Sequence, residues 1–332
     1  MTSTRHYLLL MLGLAGLTVI AFIGSFMVGP AAIGLGDAIR DIAQGQGDAA
    51  LLIMREIRLP RAILGLAIGA TLGLTGAAFQ GYLRNPLAEP GIIGVSSASA
   101  FGAVLAIYTG LSLAFPLALP LLAIAAGLIA VALLQTLAGS GSSLTLILAG
   151  VAISSLAGAL TALILNLSPN PYAVQEIVFW MLGSVTDRSL DHVALALPFM
   201  VLGWLLILPL APRLDVLSLG EETAHSLGVN LRTTRLLLII GTAVAVGAAT
   251  AVSGVIGFIG LVIPHMLRPL VGRKPSRLLP ASALGGAVLL LSADIFVRII
   301  TPGVELKLGV VTALIGAPFF LFLILKTRWA WR

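Results

Sequence analysis

The chain has 332 residues, is 59% hydrophobic and only 10% charged, and has a mean hydropathy of +1.10 with a net charge of +6. A water-soluble domain carries about 25% charged residues, so this is an integral membrane protein with no soluble domain of usable size. The basic excess comes mostly from membrane-flanking arginines and gives no reason to read nucleic-acid binding, and the lack of cysteine excludes disulfides, thiolate metal sites and thiol catalysis.

Backbone groups in lipid must be satisfied within the segment or in a closed barrel. Apolar runs of roughly 15 to 23 residues with no alternation choose helices. Ten spans are expected, near 7–28, 62–80, 92–110, 116–138, 144–166, 192–211, 236–252, 254–267, 281–297 and 308–325. Tyr7–Val28 is too long for the apolar core of a signal peptide and is read as the first span. Ser96, Ser97 and Ser99 weaken the third, and the eighth is short. With the N-terminus inside, twelve of the 19 Lys and Arg fall in inner segments and seven in outer ones. That bias places both termini in the cytoplasm. Arg55, Arg58 and Arg61 run against it, crowded at one outer helix entrance.

Taken in order, the first outer segment holds the polar stretch LGDAIRDIAQGQGD, expected to form a surface helix and turn. The second span then carries small residues at helical spacing, Gly65, Gly69, Gly73, Ala77 and Gly81. Helices in lipid associate where small residues let backbones approach, so this span is expected at the centre of a bundle. Asn85-Pro86-Leu87-Ala88-Glu89-Pro90 stops it beyond Gln80. Gly139–Ser143 is a polar turn between spans four and five. In the outer segment after span five, Trp180 reads as an interfacial anchor.

The segment Pro212–Arg235 is the most polar in the chain. Glu221–Leu227 reads as a short helix capped by Ser218 and ended by Gly228, with a second short helix from Asn230. Such a pair forms a docking surface. In SGVIGFIGLVIPHMLR, three glycines and Pro264 point to a short, broken or tightly packed helix, and His265 reads as structural rather than as a ligand. Asp294 and Arg298 are four apart and can pair on one helix face.

The RLPR start at Arg58–Arg61, the Gly-rich helix to Gln80, NPLAEPGIIG, WMLGS, GFIGLVIPHMLR and GVVTALIGAPFFLFLILK together resemble the permease subunits of ABC importers for iron-siderophores, heme and cobalamin. The resemblance covers almost the whole chain. It implies one all-α transmembrane permease domain over 1–332, working as a homodimer in the bacterial inner membrane with two ATPase subunits and a periplasmic binding protein. It implies docking of that binding protein on Arg58, Arg61 and Arg298. It assigns ATPase coupling to Glu221, Ala224, Leu227 and Gly228 within the loop at about 212–235. Ser143 and Leu144 become the cytoplasmic gate, and Gly69, Gly73, Gln80, Asn85 and Pro86 belong to the central helix and pathway. No cofactor is expected on this chain, ATP and Mg being used by the partner ATPase.

The sequence has no G-x-x-x-x-G-K-[ST] phosphate loop, so a motor must be a separate chain and this one is read as a non-enzyme subunit. An ion-coupled secondary transporter is the rival class and would carry ionisable groups at mid-membrane. Every Asp and Glu is expected in a loop or near a span end, which favours ATP. A purely structural scaffold would leave the polar loop and the outer arginines without use. Among cargoes, an iron complex with heme first is favoured over cobalamin, on family frequency.

Overall fold

The computed structural model describes residues 4–29, 51–115, 117–139, 143–301 and 306–329. The polar stretch at 35–48 and positions 140–142 of the turn before span five lie outside the described residues. Among the described residues every regular element is helical. The main helices are α1 (Thr4–Met27), α2 (Leu59–Tyr82), α3 (Val95–Tyr108), α4 (Ala118–Ala138), α5 (Ser143–Leu167), α6 (Pro171–Met181) and α7 (Leu190–Ile207). They continue with α8 (Ala211–Leu217), α9 (Glu221–Ser226), α10 (Leu231–Ser253), α11 (Ile259–Leu267), α12 (Pro275–Ile300) and α13 (Leu308–Trp329).

A helix stands at each of the ten expected places. Among the described residues seven segments are long and apolar enough to cross a membrane: α1, α2 with the π-helical turn Ile53–Arg58, α4, α5, α7 with α8, α10 and α12. The third expected span is a 14-residue helix and the eighth has nine residues. At about 1.5 Å per residue neither crosses the roughly 30 Å hydrocarbon core alone.

Helix α2 is the centre. In its most apolar window 89% of residues are buried, against 17% in α1. The seam of small residues is the reason. A Cβ on Gly69 would strike the Gly286 carbonyl oxygen, and one on Gly73 the Ser282 carbonyl oxygen, so α2 and α12 meet backbone to backbone. Gly76 meets Gly260 of α11 in the same way. Such approach supplies the dispersion contact that lipid cannot offer. Trp204 of α7 completes the surround by donating its indole N–H to Thr71 Oγ1 at 2.9 Å.

The breaks have local causes. Gly254 (φ 69°) ends α10, and Phe258 enters α11 in the left-handed region (φ 67°). The WMLGS segment packs on this break: Ser184 N donates to Ser253 O at 2.7 Å, and Gly309 N donates to Gly183 O at 3.2 Å. Trp180 is therefore part of a helix-break scaffold, half-buried, rather than only an anchor at the interface. Helix α12 starts at a residue with no cap of its own. Asp215 of α8 supplies one from across space, accepting from Ser276 N at 2.8 Å and from its hydroxyl at 2.5 Å.

Candidate functional site

Three groups of expected site residues occupy three levels of the bundle. At one end, Asp294 is buried and accepts two hydrogen bonds from Arg61, Nε at 2.9 Å and Nη2 at 2.7 Å, on one oxygen. Its other oxygen accepts from Arg298 Nη2 at 2.5 Å and from Ser25 Oγ at 3.3 Å. Arg298 also donates to the Ser25 carbonyl at 2.8 Å and to that of Val28. Arg58, 3% exposed, donates to the Met27 carbonyl at 2.8 Å. The last carbonyls of α1 have no partners within their own helix. Arginines from the π-helical turn before α2 and from α12 supply them and pin a helix that otherwise has little buried surface. The Asp294–Arg298 pair expected from the i,i+4 spacing is present, while Arg61 as its second partner was not legible. The expected outward guanidiniums of Arg58, Arg61 and Arg298 are thus drawn inward, and Arg55 is the exposed one of the outer cluster, 3.3 Å from Glu56.

The middle level is built around α11. Pro264 has no N–H, so the Gly260 carbonyl lacks its partner four residues on. Gln80 of α2 fills the gap. Its Nε2 lies 3.4 Å from both Gly260 O and Leu261 O, while its Oε1 accepts from Arg268 Nη2 at 2.5 Å. The Gly260–Pro264 spacing was the sequence signal for an outside donor such as Gln80, whereas the contact of Arg268 with Gln80 left no signal. His265 stands edge-on to Phe319, ring centres 5.7 Å apart.

After α2 the chain turns through Arg84 (φ 50°) and re-enters the bundle. Asn85 Oδ1 accepts from Leu87 N at 2.9 Å, and Pro86 is exposed in the same turn. Glu89 then accepts a hydrogen bond from Phe258 N at 2.8 Å. Glu89 thus keeps the loop position expected of the acidic residues, but the loop folds back against the start of α11. Phe258 packs on Gly316 of α13 and lines a small apolar gap with Leu289 and Ala293 of α12, all well inside their helices. Glu89 belongs to a loop by sequence and lies half-buried against the start of α11.

At the opposite end, the expected helix pair takes a different form. The two short helices are α8 and α9, joined at Gly220 (φ 115°). Ser218 does not cap α9; its hydroxyl donates back to Asp215 O at 2.6 Å. Nor does a second short helix begin at Asn230. Asn230 caps the long α10 by accepting from Thr233 N at 3.0 Å, and the helix runs on from Leu231 into the apolar stretch that begins at Leu236. Ala224 is fully buried and Leu227 is 63% exposed. Glu221 lies 3.7 Å from Arg84 Nη2, which brings α9 to the turn after the central helix. Gly228 (φ 82°) ends α9, with Val229 N donating to Ala224 O at 2.9 Å. Ser143 is the first residue of α5, and Leu144 beside it is 63% exposed.

The family model of the FecCD transport family matches residues 17–326. The hemin transport system permease protein HmuU of Yersinia pestis is 40% identical over 297 residues, covering 85% of each chain. The cobalamin import system permease protein BtuC of Halobacterium salinarum is 40% identical over 283 residues, covering 84% of this chain and 75% of that one. Among solved structures, a transporter described as of the metal-chelate ABC type, in an inward-facing conformation, superposes with a TM-score of 0.84 at 36% identity, covering 96% of this chain and 99% of that one. The match runs from α1 to α13 and includes the seam of α2, the broken helix α11 and the paired helices α8 and α9, so the chain belongs to the FecCD transport family.

Proposed function

We propose that this chain is the membrane permease of an ABC importer that carries a bulky iron complex, heme in the first place, from a periplasmic binding protein into the cytoplasm. Two copies work with two ATPase subunits in a bacterial inner membrane, both termini facing the cytoplasm. The observation that carries the reading is the interrupted helix α11, held by Gln80 against the buried α2, with the exposed α8–α9 pair at one end. Non-helical backbone at membrane depth is tolerated where it lies within protein or lines a cavity, and transporters build paths from such helices.

The α8–α9 pair is the surface for the ATPase, with Glu221, Ala224, Leu227 and Gly228 at its core. Ser143 and Leu144 close the path at that end. Arg58, Arg61 and Arg298 mark the end that receives the binding protein, whose acidic groups compete with Asp294 for Arg61 and Arg298. Relatives named for hemin and cobalamin transport support a large cargo and leave cobalamin as the alternative. For the ion-coupled class the carboxylates to consider are Glu89 and Asp294; the first accepts a backbone N–H and the second is paired with Arg61 and Arg298, which argues for structural uses.

The test is uptake into proteoliposomes holding permease, ATPase and binding protein. Heme should enter only with MgATP inside reach of the ATPase and regardless of a protonophore. Uptake driven by a pH or sodium gradient without nucleotide would overturn the class, and uptake of cobalamin but not heme would overturn the cargo.

A further inference from the structure

Helix α11 begins inside the bundle. Gly260 touches Gly76, six residues from the end of α2, or about 9 Å along its axis. Phe258 packs on Gly316, eight residues into α13, about 12 Å from the other end. A helix that opens within the bundle leaves N–H groups that need acceptors from neighbouring segments. A carboxylate there is itself costly without a counter-charge. Among the described residues no basic side chain pairs with Glu89. The two needs meet in one contact: the Phe258 N–H donates to Glu89 Oε1 at 2.8 Å. The start of a helix carries about half a positive charge, which supplies the compensation a cation would otherwise give.

The contact has a mechanical consequence. Phe258 holds a left-handed φ of 67°, unusual for a side chain of that size. Removing its acceptor frees the break to relax. Glu89 sits five residues after Arg84, which contacts Glu221 of α9. Leu87 and Pro90 of the same loop also pack on α11. The loop thus has one end on the α8–α9 pair and the other on the first turn of α11.

We propose that Glu89 is a positioning residue for transport, one that fixes the start of α11 to the re-entrant loop so that the broken helix moves with the end of α2. This rests on α11 lining the path, as in the function proposed above. The carboxylate acts as a hydrogen-bond acceptor and not as a carrier of an ion.

The experiment uses the assembled permease and ATPase in lipid nanodiscs and proteoliposomes, comparing wild type, Glu89→Gln and Glu89→Met. Glutamine keeps an acceptor oxygen without the charge, and methionine keeps the volume without an acceptor. In Glu89→Met, amide hydrogen exchange over 254–260 should speed up by about tenfold or more, the scale of a charge-assisted hydrogen bond. Heme uptake should fall by about tenfold on the same reasoning, with co-purification of the ATPase unchanged. Glu89→Gln should stay within about twofold of wild type in both readouts, since an amide oxygen accepts the same N–H. Unchanged exchange in Glu89→Met overturns the proposal. So does a Glu89→Gln variant that keeps its protection but loses uptake, because the charge would then be what transport needs. Where Glu89→Met does not assemble, Glu89→Gln decides: protected and active supports the proposal, active without protection overturns it. A wild type that takes up no cargo with ATP counts against the proposed function, while the exchange comparison still judges the placement of α11.

Discussion

Arg61 and Asp294 stand 233 residues apart in the chain and 2.7 Å apart in space, joining α2 to α12 at the end where α1 terminates. The geometry is a fork on one oxygen, with Arg298 on the other. Of the basic residues that read as outward in the sequence, Arg61 and Arg298 are therefore held by one buried acid, and Arg58 by the Met27 carbonyl. Two guanidiniums share that acid, so the three positions are not equivalent in what their loss should do.

Asp294→Asn should be the most damaging single change at this end. It leaves Arg61 and Arg298 facing a neutral amide in a site where Asp294 is 1% exposed. Breaking a buried pair from one side costs about 3 kcal/mol or more. A clear fall in the thermal midpoint of the detergent-purified permease, with poorer yield, is the expected result. A midpoint equal to wild type would show that the network contributes nothing net.

Arg61→Ala should be milder for the fold, because Asp294 retains Arg298 and Ser25. That makes it the better probe of binding-protein docking. If Arg61 also receives an acidic partner, the variant should bind the binding protein about tenfold more weakly and with less dependence on salt. Arg58→Glu with Arg61→Glu is a poorer choice, since it places two acids beside Asp294. Surface-immobilised permease and a salt series read the affinity. Equal affinity at every salt concentration would leave Arg61 a structural residue only.

Gly228→Asp should separate the permease from its ATPase. The glycine has φ 82° and nothing within 4 Å of where a Cβ would sit, so the strain comes from the backbone and not from a clash. A side chain in that region costs about 1 kcal/mol. The carbonyl contact from Val229 to Ala224 that closes α9 would loosen, and the exposed Leu227 beside it would move. Membrane insertion should be normal while the ATPase is lost on co-purification. Full co-purification would remove the coupling role from this turn.

Gln80→Leu should destabilise α11 from its other side. The Gly260 carbonyl left without a partner by Pro264 would lose its donor, and Arg268 would lose its side-chain acceptor. The combined cost should be about 2 kcal/mol. Gln80→Glu should recover the Arg268 contact but not the carbonyl one, giving an intermediate midpoint. Thermal unfolding of the three proteins in one detergent settles the order.

Much of the architecture was legible because its causes are local. Composition and run length give a helical membrane protein. The four-residue spacing of small groups in α2 marks the helix that others surround, since close backbone approach needs the same face on every turn. Glycines and Pro264 mark α11 as broken because each acts on its own backbone. The i,i+4 rule gives Asp294 with Arg298.

The relationships left to the tertiary structure each join distant parts of the chain. Periodicity says which face of a helix a residue occupies, but not what stands opposite. Arg61 reaches Asp294 because Gly69 and Gly73 bring α2 against α12. Ser218 faces back to Asp215, and Asn230 opens a long helix whose buried apolar body from Leu238 onward outweighs a local turn signal. Glu89 is a loop residue on every sequence criterion. The chain reversal at Arg84 carries it against α11, where a helix that starts within the bundle needs an acceptor that only another segment can bring.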